Sequence, residues 1–198
     1  MKRFSSQICA IVLLCGLGAE LVFALTEDEC TVTPDQVPVC CKEPKAKEEV
    51  KEDKTREELG KKCVENNAKG KKANTDEEEF QIAECVDECI FRDVFGYVNK
   101  KTNKLDETAI VNTFTKRFDG NSKWKEATQK VAKSCLGESG KDIKASSKCK
   151  SGALQFLRCY TRGVFLNCPA ESWENTDACN KLKVLVQKCP NVYTILQN

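Results

Sequence analysis

Fourteen cysteines and no histidine are the first chemical facts of this 198-residue chain. Cysteine can attack a substrate, hold a metal or crosslink, and each use leaves its own pattern. Without an imidazole there is no base for a serine or cysteine triad, no histidine-dependent phospholipase chemistry and no mixed Cys/His zinc site. A cysteine-only zinc site needs reduced thiolates, which an oxidising compartment disfavours. Thioredoxin-like exchange wants two residues between its cysteines in an α/β setting, and no pair here has that gap. Carboxylates are plentiful, but none sits in an apolar run that marks it as a general acid. Gly137-Glu138-Ser139-Gly140-Lys141 has the look of a phosphate loop, yet the upstream glycine is missing and Asp142 stands at the hydroxyl position. The expectation is a protein that is not an enzyme and uses no cofactor or metal, with cysteines that are structural.

Cys85 and Cys89 sharpen that reading. They lie one turn apart in AECVDECIFRD, a strongly helical run, so their Cβ atoms sit about 5–6 Å apart on one face. A relaxed disulfide wants roughly 3.5–4.5 Å. The two must therefore bond outward, to other segments.

Residues 1–24 read as a secretory signal: Lys2 and Arg3 open it, IVLLCGLG follows, and Val22-Phe23-Ala24 offers the cleavage point. Cys9 and Cys15 leave with it. The twelve that remain are Cys30, Cys40, Cys41, Cys63, Cys85, Cys89, Cys135, Cys149, Cys159, Cys168, Cys179 and Cys189, most simply six disulfides in an exported chain. Residues 25–198 are long enough for one domain with its own core. Nothing after the signal is apolar for long enough to span a membrane, and no N-glycosylation sequon occurs. Thirty-two basic residues face thirty acidic ones, so no one-signed surface invites nucleic acid. The mixed run from Lys42 to Lys62, with Glu48 and Glu52 against Lys51 and Lys54, reads as a solvated helix or mobile segment.

The elements that must hold these cysteines read as helices between polar turns. Thr75 and Glu78 make a capping box, and the helix it opens shows Ile82, Val86, Cys89 or Ile90, Val94 and Val98 on one face. Asn99 to Lys104 is a loop. A second helix, capped by Asp106, carries Ile110, Phe114 and Phe118. A third, capped by Ser122, carries Trp124, Ala127, Val131, Cys135 and Leu136 and stops at Gly137. A fourth runs from about Ser147 to Val164, and the last from about Thr176 to Lys188, ended by Pro190. No stretch alternates with a strand's period. The chain is all-α, a compact disulfide-stapled bundle of about six to eight helices.

The cysteine ladder carries a resemblance. Cys85 and Cys89 have three residues between them, Cys159 and Cys168 have eight, Cys63 precedes the close pair, and nine residues separate Cys149 from Cys159. This resembles the six-cysteine pattern of insect odorant-binding proteins. The dipeptide Cys168-Pro169, the later Cys179 and the extra cysteines near the N-terminus resemble its Plus-C subgroup. The likeness spans Cys30 to Cys189. Cys135 answers to the fourth family cysteine by its distance from Cys89, and Cys149 by its distance from Cys159. The resemblance implies pairing of first with third, second with fifth and fourth with sixth. Carried over with Cys149 as the fourth, that gives Cys63–Cys89, Cys85–Cys159 and Cys149–Cys168. Cys30, Cys40, Cys41, Cys135, Cys179 and Cys189 are then left to tether N- and C-terminal extensions in pairs that the spacing does not assign.

The family's members carry small hydrophobic molecules, odorants or other semiochemicals, through aqueous secretions. The expectation for this chain is a secreted carrier in olfaction or related transport, its helices surrounding an apolar cavity. Candidate wall residues are Val94, Phe95, Val98, Ile110, Val111, Phe114, Phe118, Leu154, Leu157, Tyr160 and Val164, with core packing the competing role for each. Tyr97 and Tyr160 each offer a hydroxyl to a ligand's polar end. The alternative is a secreted cystine-rich module that binds a receptor, a host factor or an identical chain through an exposed apolar patch. With no histidine to titrate, ligand affinity is expected to stay flat between about pH 7.5 and 5.5, because unperturbed carboxylates titrate near 4.

Overall fold

The computed structural model describes Cys30, residues 38–44 and residues 54–189; the expected signal and the charge pairs before Lys54 lie outside them. Six α-helices carry the described chain: α1 (Lys54–Asn67), α2 (Asp76–Cys89), α3 (Glu107–Lys116), α4 (Ser122–Glu138), α5 (Ala153–Leu166) and α6 (Asp177–Lys188). The bundle is all-α in substance, as the periodicity requires. The one sheet among the described residues is a hairpin of two-residue strands, β1 (Val98–Asn99) and β2 (Lys104–Leu105).

Caps set the helix starts. The Thr75 hydroxyl accepts from the Glu78 amide at 3.2 Å, and the Asp106 carboxylate accepts from the Ala109 amide at 2.9 Å. Thr176 does the same for the Cys179 amide at 3.3 Å. At α4 the expected cap is off by one residue. Asn121 takes the role, accepting from the Trp124 amide at 3.1 Å, and Ser122 is the first helical residue. Gly137 does not stop α4, which runs through it to Glu138. Its backbone stays helical, and that costs only the modest propensity of one glycine.

Two further boundaries differ from the periodic reading. The stripe through α2 ends before Val98: a π-helical turn (Ile90–Val94) follows α2, Gly96 adopts φ +70°, and Val98 belongs to β1. Of the expected loop at 99–104, residues 100–103 form the turn of that hairpin, while Asn99 and Lys104 pair as its innermost strand residues. Residues 147–152 are not helical either. α5 begins only after Gly152, at φ +81°, where a Cβ would stand 2.9 Å from the Ser139 carbonyl oxygen.

The core is one cluster. α3 packs on α4, α4 on α5, α5 on α2 and α6, and α1 on α2 and the π-turn. Trp124, Phe156, Phe165, Ile110, Val164 and Val186 are fully buried within it. α4 and α5 approach closely at Gly163, where a Cβ would meet a Val131 methyl at 2.5 Å. Trp124 keeps its indole satisfied by donating to Ser172 at 2.8 Å.

All twelve cysteines among the described residues are paired: Cys30–Cys189, Cys40–Cys179, Cys41–Cys168, Cys63–Cys89, Cys85–Cys149 and Cys135–Cys159. Cys85 and Cys89 bond outward, to different segments. The carried-over pairing holds at Cys63–Cys89 and fails at its other two bridges. The interlocked order itself survives if the ladder reads Cys63, Cys85, Cys89, Cys135, Cys149, Cys159, with Cys135 fourth and Cys149 fifth. The misplacement has a physical cause. Cys149 sits not in a helical turn below Cys159 but in the loop before α5, laid along α2 by the Ser151 amide, which donates to Glu88 at 2.8 Å. That brings it to Cys85 rather than Cys168.

Cys168 is taken by the N-terminal segment. There the Lys42 amide donates to the Ser172 carbonyl at 2.9 Å and the Glu174 amide to the Cys40 carbonyl at 2.8 Å. An antiparallel bridge joins Cys41 to Trp173 in the same stretch. Two neighbouring cysteines thus bond one to the end of α5 and one to α6.

Candidate functional site

The π-turn after α2 is the local device that builds the site. Its wider coil and the left-handed Gly96 fold the chain back, so that the Tyr97 amide donates to the Phe91 carbonyl at 2.6 Å. Phe91, Phe95 and Tyr97 are thereby drawn together. Phe91 and Phe95 meet edge to face at 6.4 Å, Phe91 and Tyr97 at 5.6 Å, and Phe95 stacks on Tyr97 at 5.3 Å.

α3 and α5 complete the wall. Phe114 meets Tyr97 at 5.8 Å, Phe156 at 5.7 Å and Tyr160 at 4.6 Å, and Phe156 closes the ring set against Phe91 at 6.0 Å. Six aromatic rings from three segments form one connected surface. It grades from Phe95, 45% exposed, through half-buried Phe114 to Tyr160 at 7% and Phe156 at 0%. Edge-to-face and offset contacts suit the ring quadrupoles and hold the side chains rigid.

The predicted wall residues fall into three groups. Phe95, Phe114 and Tyr160 stand in the aromatic surface. Val98, Ile110, Val111, Phe118 and Val164 are buried in the same core cluster, with Leu157 packed against it. Val94 is half-buried in the π-turn, and Leu154 is buried outside that cluster. Phe91 and Phe156 are the rings missing from the candidate set. Their signal was the spacing of four from Phe91 to Phe95 and from Phe156 to Tyr160, which placed them on helix faces without showing that the faces meet.

Polar groups border the wall. Burial pushes the Tyr97 phenol up, against a lowering contact from the Thr113 hydroxyl. Burial pushes the Tyr160 phenol up further, helped by the negative charge of Glu43. Glu43 is itself raised by burial, partly offset by Arg117, whose Nη2 lies 2.7 Å from its Oε2.

A second polar cluster lies between α2 and α5. Glu84 accepts from Gln155 Nε2 at 2.6 Å, and Glu88 accepts from Asn103 and from the Ser151 amide. Arg158 lies 4.7 Å over the Phe80 ring. Asp87, on the same helix, is pushed up to about 6 by burial, with Arg158 pulling it down. The expectation of flat affinity between pH 7.5 and 5.5 rests on carboxylates at their ordinary values, and burial makes Asp87 an exception among them.

The one metal-like grouping among the described residues is Cys63, Cys89 and Asp93. Its two sulfurs are joined to each other, so they offer no thiolates to an ion. The surface groove between α4 and the Pro169–Glu171 stretch is lined by Lys123, Lys130, Glu126 and Glu171, and lacks the apolar wall that α2, α3 and α5 share. Among the described residues, no helix is long and apolar enough to cross a membrane.

An all-α fold with six disulfides and one connected cluster of six aromatic rings defines a cystine-stapled helical domain. The chain is similar to General odorant-binding protein 67 of Anopheles gambiae, at 24% identity over 107 residues, covering 53% of this chain and 52% of that protein. It spans about half the length of that relative. No protein-family model matches the chain, and no solved structure matches it significantly.

Proposed function

We propose that the protein is a secreted carrier of small hydrophobic molecules, of the insect odorant-binding type and its Plus-C subgroup, and not an enzyme. Residues 1–24 act as its export signal and residues 25–198 as a single carrier domain. The observation that carries the reading is the aromatic surface running without a break from exposed Phe95 to buried Tyr160. A wall that starts in solvent and ends in the core gives an apolar guest a path out of water. Six staples support the remainder of the fold, so that exposing such a surface need not unfold it. The likeness to an odorant-binding protein points the same way, and disulfide density agrees with an extracellular destination.

Native mass spectrometry of the purified protein, with an apolar fluorescent probe titrated in parallel, tests this. A carrier holds a low-mass guest and binds the probe at about micromolar concentration with all disulfides intact. Probe binding that appears only after reduction reports unfolded surface and removes the reading.

A further inference from the structure

The aromatic wall ends, at the C-terminus of α3, on a buried acid. Arg117 follows Phe114 by three residues and keeps helical backbone angles, so both side chains leave one face of the helix. Phe114 lies against Tyr160, with centroids 4.6 Å apart, while Arg117 reaches Glu43 at 2.7 Å. The two partners of that ion pair are unequally placed. The Arg117 side chain is 48% exposed and the Glu43 side chain only 8%. Water screens the positive member well and the negative member poorly, leaving the inner side of the pair negative.

Glu43 Oε2 also retains unused capacity. It is buried and accepts no aligned hydrogen bond, so its contact with Arg117 is ionic and leaves lone pairs open. A carboxylate has about four lone-pair sites, and a donor brought by a ligand can take one that the Arg117 contact leaves open. Tyr160 lies within reach of the same charge, and burial together with Glu43 keeps its phenol protonated.

We propose that the ligands of this site end in a hydrogen-bond donor, a hydroxyl or an amine, received by Glu43 beside Tyr160, and that carboxylate-ended chains are excluded. The inference rests on the carrier reading and narrows it to a head-group class. A hydroxyl or ammonium head donates to the open lone pair of Glu43. An ether of the same length fills the apolar wall but leaves that lone pair empty. A carboxylate brings a second negative charge to a poorly screened one, where repulsion is strong.

The test is a ligand series on the unaltered protein: decanol, decylamine, decyl methyl ether and decanoate, each measured by titration calorimetry. Decanol and decylamine are expected to bind about tenfold more tightly than the ether, and decanoate more weakly than the ether. In Glu43→Gln, whose fold is checked by its circular dichroism, decanoate should rise to at least the level of the ether, because Arg117 loses its counter-charge, and decylamine should lose its advantage over decanol. Equal affinity across the series in the unaltered protein overturns the head-group assignment while leaving the carrier reading in place. Tightest binding of decanoate overturns it in the opposite sense, making Arg117 the receiving group. Failure of all four, ether included, takes down the carrier reading and this inference with it.

Discussion

Phe95 lies face to face with Tyr97, ring centroids 5.3 Å apart and planes 15° from parallel, so an exposed ring and a buried one form a single slab. The slab is the outer end of the aromatic wall. Phe95→Ala removes its solvent half with little loss of core packing, and is expected to shift stability by under about 1 kcal/mol. Probe affinity should nonetheless fall about five- to tenfold, from the lost stacking and apolar area. Val184→Ala, at an equally exposed apolar position on α6, should leave affinity unchanged. Equal effects from the two substitutions would show that the probe senses general surface apolarity.

The bridge pattern can be read chemically. Non-reducing peptide mapping should recover Cys85 with Cys149 and Cys135 with Cys159, and a Cys85–Cys159 peptide would contradict the packing of the loop before α5. Replacing both Cys135 and Cys159 by alanine should cost about 2–4 kcal/mol, chiefly through a freer unfolded chain. Chemical denaturation measures it.

Gly152→Ala combines two penalties, a left-handed backbone and a Cβ 2.9 Å from the Ser139 carbonyl oxygen. The expected loss is about 1–3 kcal/mol. A thermal melt equal to that of the unaltered protein would mean that the α4–α5 connection relaxes without strain.

The Arg162 guanidinium donates to the Val186 carbonyl at 3.0 and 2.8 Å and to the Gln187 carbonyl at 3.2 Å. A cation from α5 thus satisfies the open carbonyls and the negative dipole end of α6. Arg162→Met keeps the stem and should cost about 1–2 kcal/mol. Amide exchange should quicken in the last turn of α6 before it quickens elsewhere; uniform quickening would argue against a local cap.

Asp87 sets a pH dependence with a defined sign. Its native value, about 6, lies above the unfolded carboxylate value near 4. The native state therefore holds more protons between those values, and this group's contribution falls as pH rises from about 4 to 6. Above 6 the buried charge remains a standing cost. Asp87→Asn should raise stability at pH 7.5 by about 1 kcal/mol, a figure reduced for the water that reaches the site, and should flatten that part of the profile. A variant less stable than the parent at pH 7.5 would show that the attraction of Arg158 outweighs desolvation.

The sequence made some of this plain for stated reasons. Thr75 and Asp106 announce their helices because a short polar side chain before an apolar stripe has few other uses. The outward bonding of Cys85 and Cys89 followed from helix geometry alone. What escaped was non-local. Cys149 looked helical from its neighbours, and only the packing of its loop on Glu88 decides its partner. The π-turn carries no periodic signature distinct from α2, so Val98 stayed on the wrong element and Phe91 out of the candidate wall. Glu43 sat in a charged run that reads as solvated; its burial depends on Cys41, two residues earlier, being held to Cys168.

The bond between Cys30 and Cys189 gives the molecule an unusual mechanical character. A pull applied beyond those two residues passes from one to the other through a single covalent link. The chain between them, a sequence separation of 159, carries none of the tension. Helices that would peel away one by one in an open chain stay slack, so stretching the protein by its ends lengthens only the tails. The same closure means that one proteolytic cut between Cys41 and Cys63 frees no fragment, since both new ends remain attached to the bundle.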